Sequence, residues 1–149
     1  MVAWFRKVPH ACFKAEFPPP LSALEEISQI LERHLCARFG IVKRAPLWRW
    51  GHRLVDVKVE QRLVWVAWHR NRFKNGEWIL FVAPDPLRNL LRTRQPVEYK
   101  AELMLVSLDI HALLSSVPGI SNVWWYFGGF RRQRRKGVWT PDELPWAEI

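Results

Sequence analysis

The segment from Trp124 to Trp139 combines the residue types that bind phosphates and nucleic-acid bases. It reads WWYFGGFRRQRRKGVW, and five of the six residues from Arg131 to Lys136 are basic. Arginine can grip a phosphate through two parallel hydrogen bonds, and glycine lets a phosphate come close to the backbone. The aromatic residues on either side supply flat faces on which bases can stack. The candidate nucleic-acid contacts in this segment are Arg131, Arg132, Arg134, Arg135, Lys136 and Trp139.

An ordinary structural role explains much of the same segment. Successive residues of a strand point to opposite faces of a sheet, so about half of the aromatic residues from Trp124 to Phe127 must belong to the core. A core strand that ends in a solvated basic hairpin would have this sequence without any ligand. The sequence leaves both interpretations open, and the positive charge of the whole chain favours nucleic-acid binding.

The loop from Gly128 to Gly137 also resembles a loop of known RNA-binding proteins. A glycine-rich, basic loop near the C-terminus of a ferredoxin-like domain is similar to the RNA-contacting loop of CRISPR repeat-associated RNA-binding proteins. The similarity covers this loop alone. It implies contact between the loop and RNA.

A second tryptophan-bearing basic segment, KRAPLWRWGHR, runs from Lys43 to Arg53. If it is extended, Trp48 and Trp50 share one side and Arg49 faces the other. The two indoles could then stack on bases or fill pockets in a protein partner. The alternative is that they fold over the first helix and close the core.

A third pattern resembles the Pro-Asp…(Asp/Glu)-x-Lys signature of restriction-endonuclease-like nucleases. It consists of Asp85 after Pro84, followed by Glu98 and Lys100. In such sites two carboxylates hold a divalent metal and the lysine helps to activate water. An interpretation without metal is equally simple: Asp85 caps a helix, and Glu98 and Lys100 lie on the wet edge of a strand.

The composition indicates one globular domain over residues 1–149. The chain is 49% hydrophobic, contains ten tryptophans and carries a formal net charge of +9, which attracts polyanions. Two cysteines provide no disulfide framework, and no apolar run is long enough to span a bilayer. These features predict a cytoplasmic protein that does not associate with membrane.

The order of elements predicts an α+β fold with a mainly antiparallel sheet of five to six strands, one long amphipathic helix and two short helices, possibly in a ferredoxin-like plan. The long helix follows Ser22 and ends before Gly40. Strands are predicted at Val2–Val8, within 54–83 as a three-stranded meander, at Val97–Leu108 and at 120–127. Short helices are predicted after Asp85 and after Asp109. Trp65, Trp78 and one of Trp124 and Trp125 are predicted to be buried.

These observations favour a small basic nucleic-acid-binding protein, with a slight preference for RNA or single-stranded DNA, acting as a non-catalytic subunit or accessory factor without a cofactor. One alternative is a nuclease that uses Asp85, Glu98, Lys100 and a divalent metal. Another is an interaction subunit whose surface tryptophans and arginines bind a larger protein or ribonucleoprotein assembly.

Overall fold

A computed structural model describes residues 8–45, 53–84, 99–128 and 137–148. They form a six-stranded antiparallel sheet with two α-helices in the described part of the chain, which confirms the α+β class. The elements are β1 (Val8–Ala15), α1 (Ala23–Arg38), β2 (Ile41–Ala45), β3 (Arg53–Val59), β4 (Arg62–Arg70), β5 (Glu77–Pro84), α2 (Lys100–Ser116) and β6 (Ile120–Gly128), followed by 3₁₀ turns at Pro141–Glu143 and Trp146–Glu148.

The order of strands across the sheet is β2-β3-β4-β5-β1-β6. Strand β1 therefore lies between β5 and β6, and each neighbouring pair is antiparallel. The predicted meander over 54–83 is confirmed as β3, β4 and β5. Since β6 is the last strand of the sheet, the chain that leaves its end starts at a sheet edge.

One face of the sheet carries the main core. Val55, Val57 and Val59 of β3 alternate in the sequence with Asp56 and Lys58, which predicts one apolar and one solvated face. The three valines are buried as this pattern predicts, whereas Asp56 is buried on the opposite face. The two helices cover the apolar face. Their core residues are Ile27, Leu31 and Leu35 of α1 and Leu103, Val106, Ile110 and Leu114 of α2.

Helix α1 begins and ends where the sequence predicts. The Ser22 hydroxyl accepts a hydrogen bond from the Glu25 backbone N–H at 3.2 Å, which satisfies one of the unpaired donors of the first turn. The helix stops at Phe39, and Gly40 follows with φ of +91°, a conformation that favours glycine.

The strand predicted at Val97–Leu108 is wrong from Lys100 onward, because residues 100–116 form the single helix α2. The residues predicted as a short helix after Asp109 are helical, but they form the second part of α2 and not a separate helix that begins at Asp109. The buried residues of α2 recur at helical spacing, but Met104, Leu105 and Leu108 on the other sides make the sequence almost continuously apolar. A continuous apolar run does not distinguish a buried strand from a helix.

Two other predicted elements fall partly or wholly outside the described residues. The first observed strand is Val8–Ala15, whereas the sequence predicted Val2–Val8, of which residues 2–7 are not described. The short helix predicted after Asp85 also lies outside the described residues.

Candidate nucleic-acid interface

We call Arg131–Lys136 the basic segment. The chain before it and the chain after it both lie at the same edge of the sheet. Strand β6 ends at Gly128, and the chain returns beside it, where Trp125 and Val138 exchange two backbone hydrogen bonds of 2.7 Å. Residues 129–136 connect these two points and lie outside the described residues, as do the predicted phosphate contacts Arg131, Arg132, Arg134, Arg135 and Lys136. The structure therefore describes where the segment starts and where it returns.

Four rings form a row across β5, β1 and β6 on the sheet face opposite the helices, and we call this row the aromatic ladder. His10 stacks between Phe81 and Tyr126, with ring centroids 5.5 and 5.1 Å away. Trp124 continues the row, 5.3 Å from Tyr126. The ladder arises because His10 lies directly opposite Phe81 and Tyr126 in the strand register.

The aromatic ladder packs against the two glycines that bracket the basic segment. A Cβ atom at Gly128 would lie 2.7 Å from Cε2 of Tyr126 and 3.2 Å from Nδ1 of His10. A Cβ atom at Gly137 would overlap the six-membered ring of Trp124. The sequence suggested that glycines here let phosphate approach, and the structure adds that these two let the backbone lie directly on the rings.

The aromatic residues of β6 divide between the two faces, as predicted. Trp125 is completely buried in the main core, and its Nε1–H donates a 3.0 Å hydrogen bond to Nδ1 of His111. Trp124 is half-buried on the opposite face. The predicted burial of Trp78 is confirmed, whereas Trp65 is only partly buried.

Trp139 is exposed but stands on a fixed backbone. Its side chain is 67% exposed and makes no ring contact or hydrogen bond within the described part of the chain. On one side of it, Val138 is bonded to Trp125; on the other, the backbone N–H and hydroxyl of Thr140 both donate to Oε1 of Glu143, at 2.9 and 2.6 Å.

The other predicted site residues are only partly placed. Trp48, Trp50, Asp85 and Glu98 lie outside the described residues. Lys100 is the first residue of α2, so the strand expected to carry Glu98 and Lys100 on one face does not extend through Lys100. The distances among the three proposed nuclease residues stay untested.

The structure also contains a polar cluster that the sequence did not suggest. Nε2 of His34 on α1 lies 2.6 Å from Oδ2 of Asp109 on α2, and Nε of Arg38 donates to Oδ1 of Asp109 at 3.3 Å. No periodicity or motif links positions so far apart in the chain. The cluster ties the two helices together, and the described residues include no group of three or more His, Cys, Asp and Glu that could hold a metal ion.

Two histidines have lowered pKa values. Burial lowers the pKa of His69 and of His111 below 6.5; for His111 the Asp142 carboxylate acts in the opposite direction. At His111 the geometry agrees, because Nδ1 accepts the Trp125 hydrogen bond and must be unprotonated to do so.

We expect the free energy of unfolding to fall as the pH is lowered below about 6.5, the ordinary pKa of histidine. The fall should continue until the pH is below the lowered pKa values of His69 and His111 in the folded protein. Over that range the unfolded chain binds more protons than the folded chain, so acid favours unfolding. Replacing His111 by Gln should flatten the part of this dependence that His111 causes. Urea unfolding of both proteins from pH 8 to pH 5 measures it, and an equal pH slope in both would contradict the assignment.

No family model, curated protein or solved structure matches the chain. None of the described helices has the length and apolar character needed to cross a membrane.

Proposed function

We propose that this chain is a small basic nucleic-acid-binding protein, with RNA or single-stranded DNA as its ligand, which acts as a non-catalytic accessory factor. The basic segment from Arg131 to Lys136 supplies the phosphate contacts. The observation that carries the proposal is that the chain on either side of this segment lies at the sheet edge, where Gly128 and Gly137 pack against the aromatic ladder. In the sequence, the phosphate-binding residues thus lie between two glycines that contact stacked aromatic rings.

The charge distribution supports a polyanionic partner. Lys and Arg number 23 against 14 Asp and Glu, so the formal net charge is +9 even if every carboxylate has a basic partner. Two described carboxylates do have such partners: Asp109 binds His34 and Arg38, and Glu102 binds Arg62. A field of this sign raises the association rate with phosphate-rich ligands, and the effect weakens as salt increases.

The connectivity supports the ferredoxin-like plan as part of this proposal. Helix α1 follows β1, α2 precedes β6, and β1 lies between β5 and β6 in an antiparallel sheet. Such a plan needs one two-stranded hairpin between its halves; here β2 to β5 would form an enlarged, four-stranded equivalent. This architecture is compatible with many functions, so the site and not the fold supports nucleic-acid binding.

The direct test is the material that co-purifies with the protein. We expect an absorbance excess near 260 nm that RNase or DNase removes, and the enzyme that removes it identifies the nucleic acid. Protein free of such material, which also fails to bind labelled RNA and DNA oligonucleotides at 50 mM salt, would contradict the proposal.

One observation favours a second candidate function, self-association through α2, which differs from binding to a larger assembly through surface tryptophans and arginines. Helix α2 exposes Leu105 and Leu108, by 42% and 38%, and Ala101 and Ala112 lie exposed on the same stripe. Residues 101, 105, 108 and 112 are separated by four, three and four positions, so the spacing is the same from either end of the helix. Two antiparallel copies would therefore place Leu105 against Leu108 and Ala101 against Ala112 around a two-fold axis.

For this alternative, the Leu105→Gln/Leu108→Gln double variant is expected to convert a dimer into a monomer with little change in the unfolding of each subunit, because both leucines are partly exposed. Light scattering across a concentration series measures the mass. An Ala substitution of exposed Arg33 on α1 is the matched control. A wild-type chain that stays monomeric at high concentration would exclude this dimer.

A further inference from the structure

We infer that the turn between β4 and β5 is a nucleic-acid contact of its own, in which the ring of Phe73 stacks on an unpaired base. The inference rests on the proposed function, because it takes a nucleic acid as the ligand. It adds a contact far from the sheet edge at Gly128. Gly128 pairs with Val8 at the start of β1, whereas the carbonyl of Gly76 in the turn accepts a 3.1 Å hydrogen bond from Ala15 at the end of β1.

Two buried residues fix the base of the turn, Asn71 and Glu77, which are each only 8% exposed. The backbone N–H of Asn71 donates to the Glu77 carbonyl at 2.9 Å, and its side-chain amide donates to Oε1 of Glu77 at 2.7 Å. Oδ1 of Asn71 accepts a 3.0 Å hydrogen bond from the backbone N–H of Phe73, which closes a tight turn through the side chain. The backbone that carries the Phe73 ring is therefore held before any ligand binds.

The side chain of Phe73 is presented to solvent from this fixed backbone. At 78% it is the most exposed large apolar side chain in the part of the chain that the structure describes. A phenyl ring in water adds little to the stability of the fold, and its burial in a complex is favourable. An aromatic side chain on a fixed backbone also loses little conformational entropy on binding. Both properties favour a contact role for Phe73.

The charge around Phe73 is positive. Exposed Arg72 and Lys74 flank it in the chain, and exposed Arg70 precedes the turn. Residues 70–77 contain three basic residues and one acidic residue, a formal charge of +2. The acidic residue is Glu77, which is buried under the turn, with Nζ of Lys74 4.0 Å from its Oε2. This charge is small beside the five basic residues of the basic segment, so the main contribution of the turn is the contact with a base.

The combination of a flat ring and flanking cations identifies the ligand class. The cations fit any polyanion, but a nucleotide also brings a flat base that can lie on the phenyl ring. The bases of a duplex are stacked on each other, whereas a base in a single strand can be unstacked and received by an aromatic side chain. A single-stranded segment of RNA or DNA therefore matches both features of the turn.

The test compares two single-stranded oligonucleotides of equal length, one with bases and one with abasic sites throughout. Both carry the same phosphates. Wild-type protein is expected to prefer the base-bearing strand. Phe73→Ala should lower the affinity for that strand roughly 5- to 150-fold, should bind the abasic strand as wild type does and should keep the salt dependence of binding.

Two further substitutions at the same position are the matched controls. Phe73→Leu keeps an apolar side chain without a flat face, so it should lose affinity for the base-bearing strand as Phe73→Ala does. Phe73→Trp keeps a flat face and should bind at least as tightly as wild type. All three variants should unfold at the same urea concentration as wild type, because the ring is exposed.

Three results would overturn the inference while the proposed function survives. They are equal affinities of wild type and Phe73→Ala for the base-bearing strand, wild-type binding by Phe73→Leu, and equal affinities of wild type for the two strands. The second result would mean that the side chain fills an apolar pocket, as in a protein partner. If wild type shows no salt-dependent binding to either strand, the proposed function fails together with the inference.

Discussion

Replacing Arg131, Arg132, Arg134, Arg135 and Lys136 together by Ala is expected to remove most of the salt dependence of nucleic-acid binding. If all five residues contact phosphate, the affinity of wild-type protein should fall roughly 100- to 1,000-fold between 50 and 200 mM salt, because each contact releases condensed counterions. The variant should show a nearly flat dependence and much weaker binding at 50 mM. Fluorescence anisotropy with a labelled oligonucleotide measures both quantities.

The control must remove the same charge from other places. Lys14, Arg33, Lys58, Arg72 and Lys74 are exposed and lie on other elements or turns. Replacing these five by Ala also lowers the formal net charge from +9 to +4, since five positive charges are lost. We expect this control to retain most of the slope. Equal slopes in the two variants would mean that overall charge, and not the basic segment, determines binding.

Trp125→Ala is expected to lower the free energy of unfolding by about 3–5 kcal/mol. Trp125 is completely buried, joins the core under α2 and donates to His111. Truncation would leave a large cavity and would remove the hydrogen bond that joins β6 to the helix. Urea denaturation followed by far-ultraviolet circular dichroism measures the change without relying on tryptophan fluorescence.

Trp139, which follows the bridge residue Val138 in the chain, supplies the comparison. Trp139→Ala should change the free energy of unfolding by no more than about 0.5 kcal/mol, because its side chain is exposed and makes no described polar contact. The two tryptophans would then separate stability from binding at one sheet edge. A similar loss of stability in both variants would show that Trp139 is part of the core, and its interpretation as a candidate nucleic-acid contact would fail.

Local sequence signals were sufficient for much of the sheet and for the first helix. Val55, Val57 and Val59 alternate with polar residues, so one face of β3 had to be apolar. Ser22 with Glu25, and Gly40 at the other end, set the limits of α1 through hydrogen bonds within a few residues. Such signals can be read from sequence because the interactions that enforce them are local.

Helix α2 shows where local signals failed. Its buried stripe exists only relative to the sheet it packs on, and the exposed leucines on the opposite side hide that stripe in the sequence. The His34–Asp109 pair fails for the same reason, because only the packing of two helices brings it together. Composition and periodicity carry no information about which distant residues meet.

The sequence by itself determined the basic segment, its glycines and aromatics, the strong positive charge and the α+β class. Tertiary structure alone decided which tryptophan of β6 is buried, that Gly128 and Gly137 pack on the aromatic ladder, and that Trp139 stands exposed beside the returning chain. The physical reason is that residue type sets what a side chain can bind, whereas strand register sets which face it occupies. Shifting the register by one residue would exchange Trp124 with Trp125, and no local interaction within β6 specifies that choice.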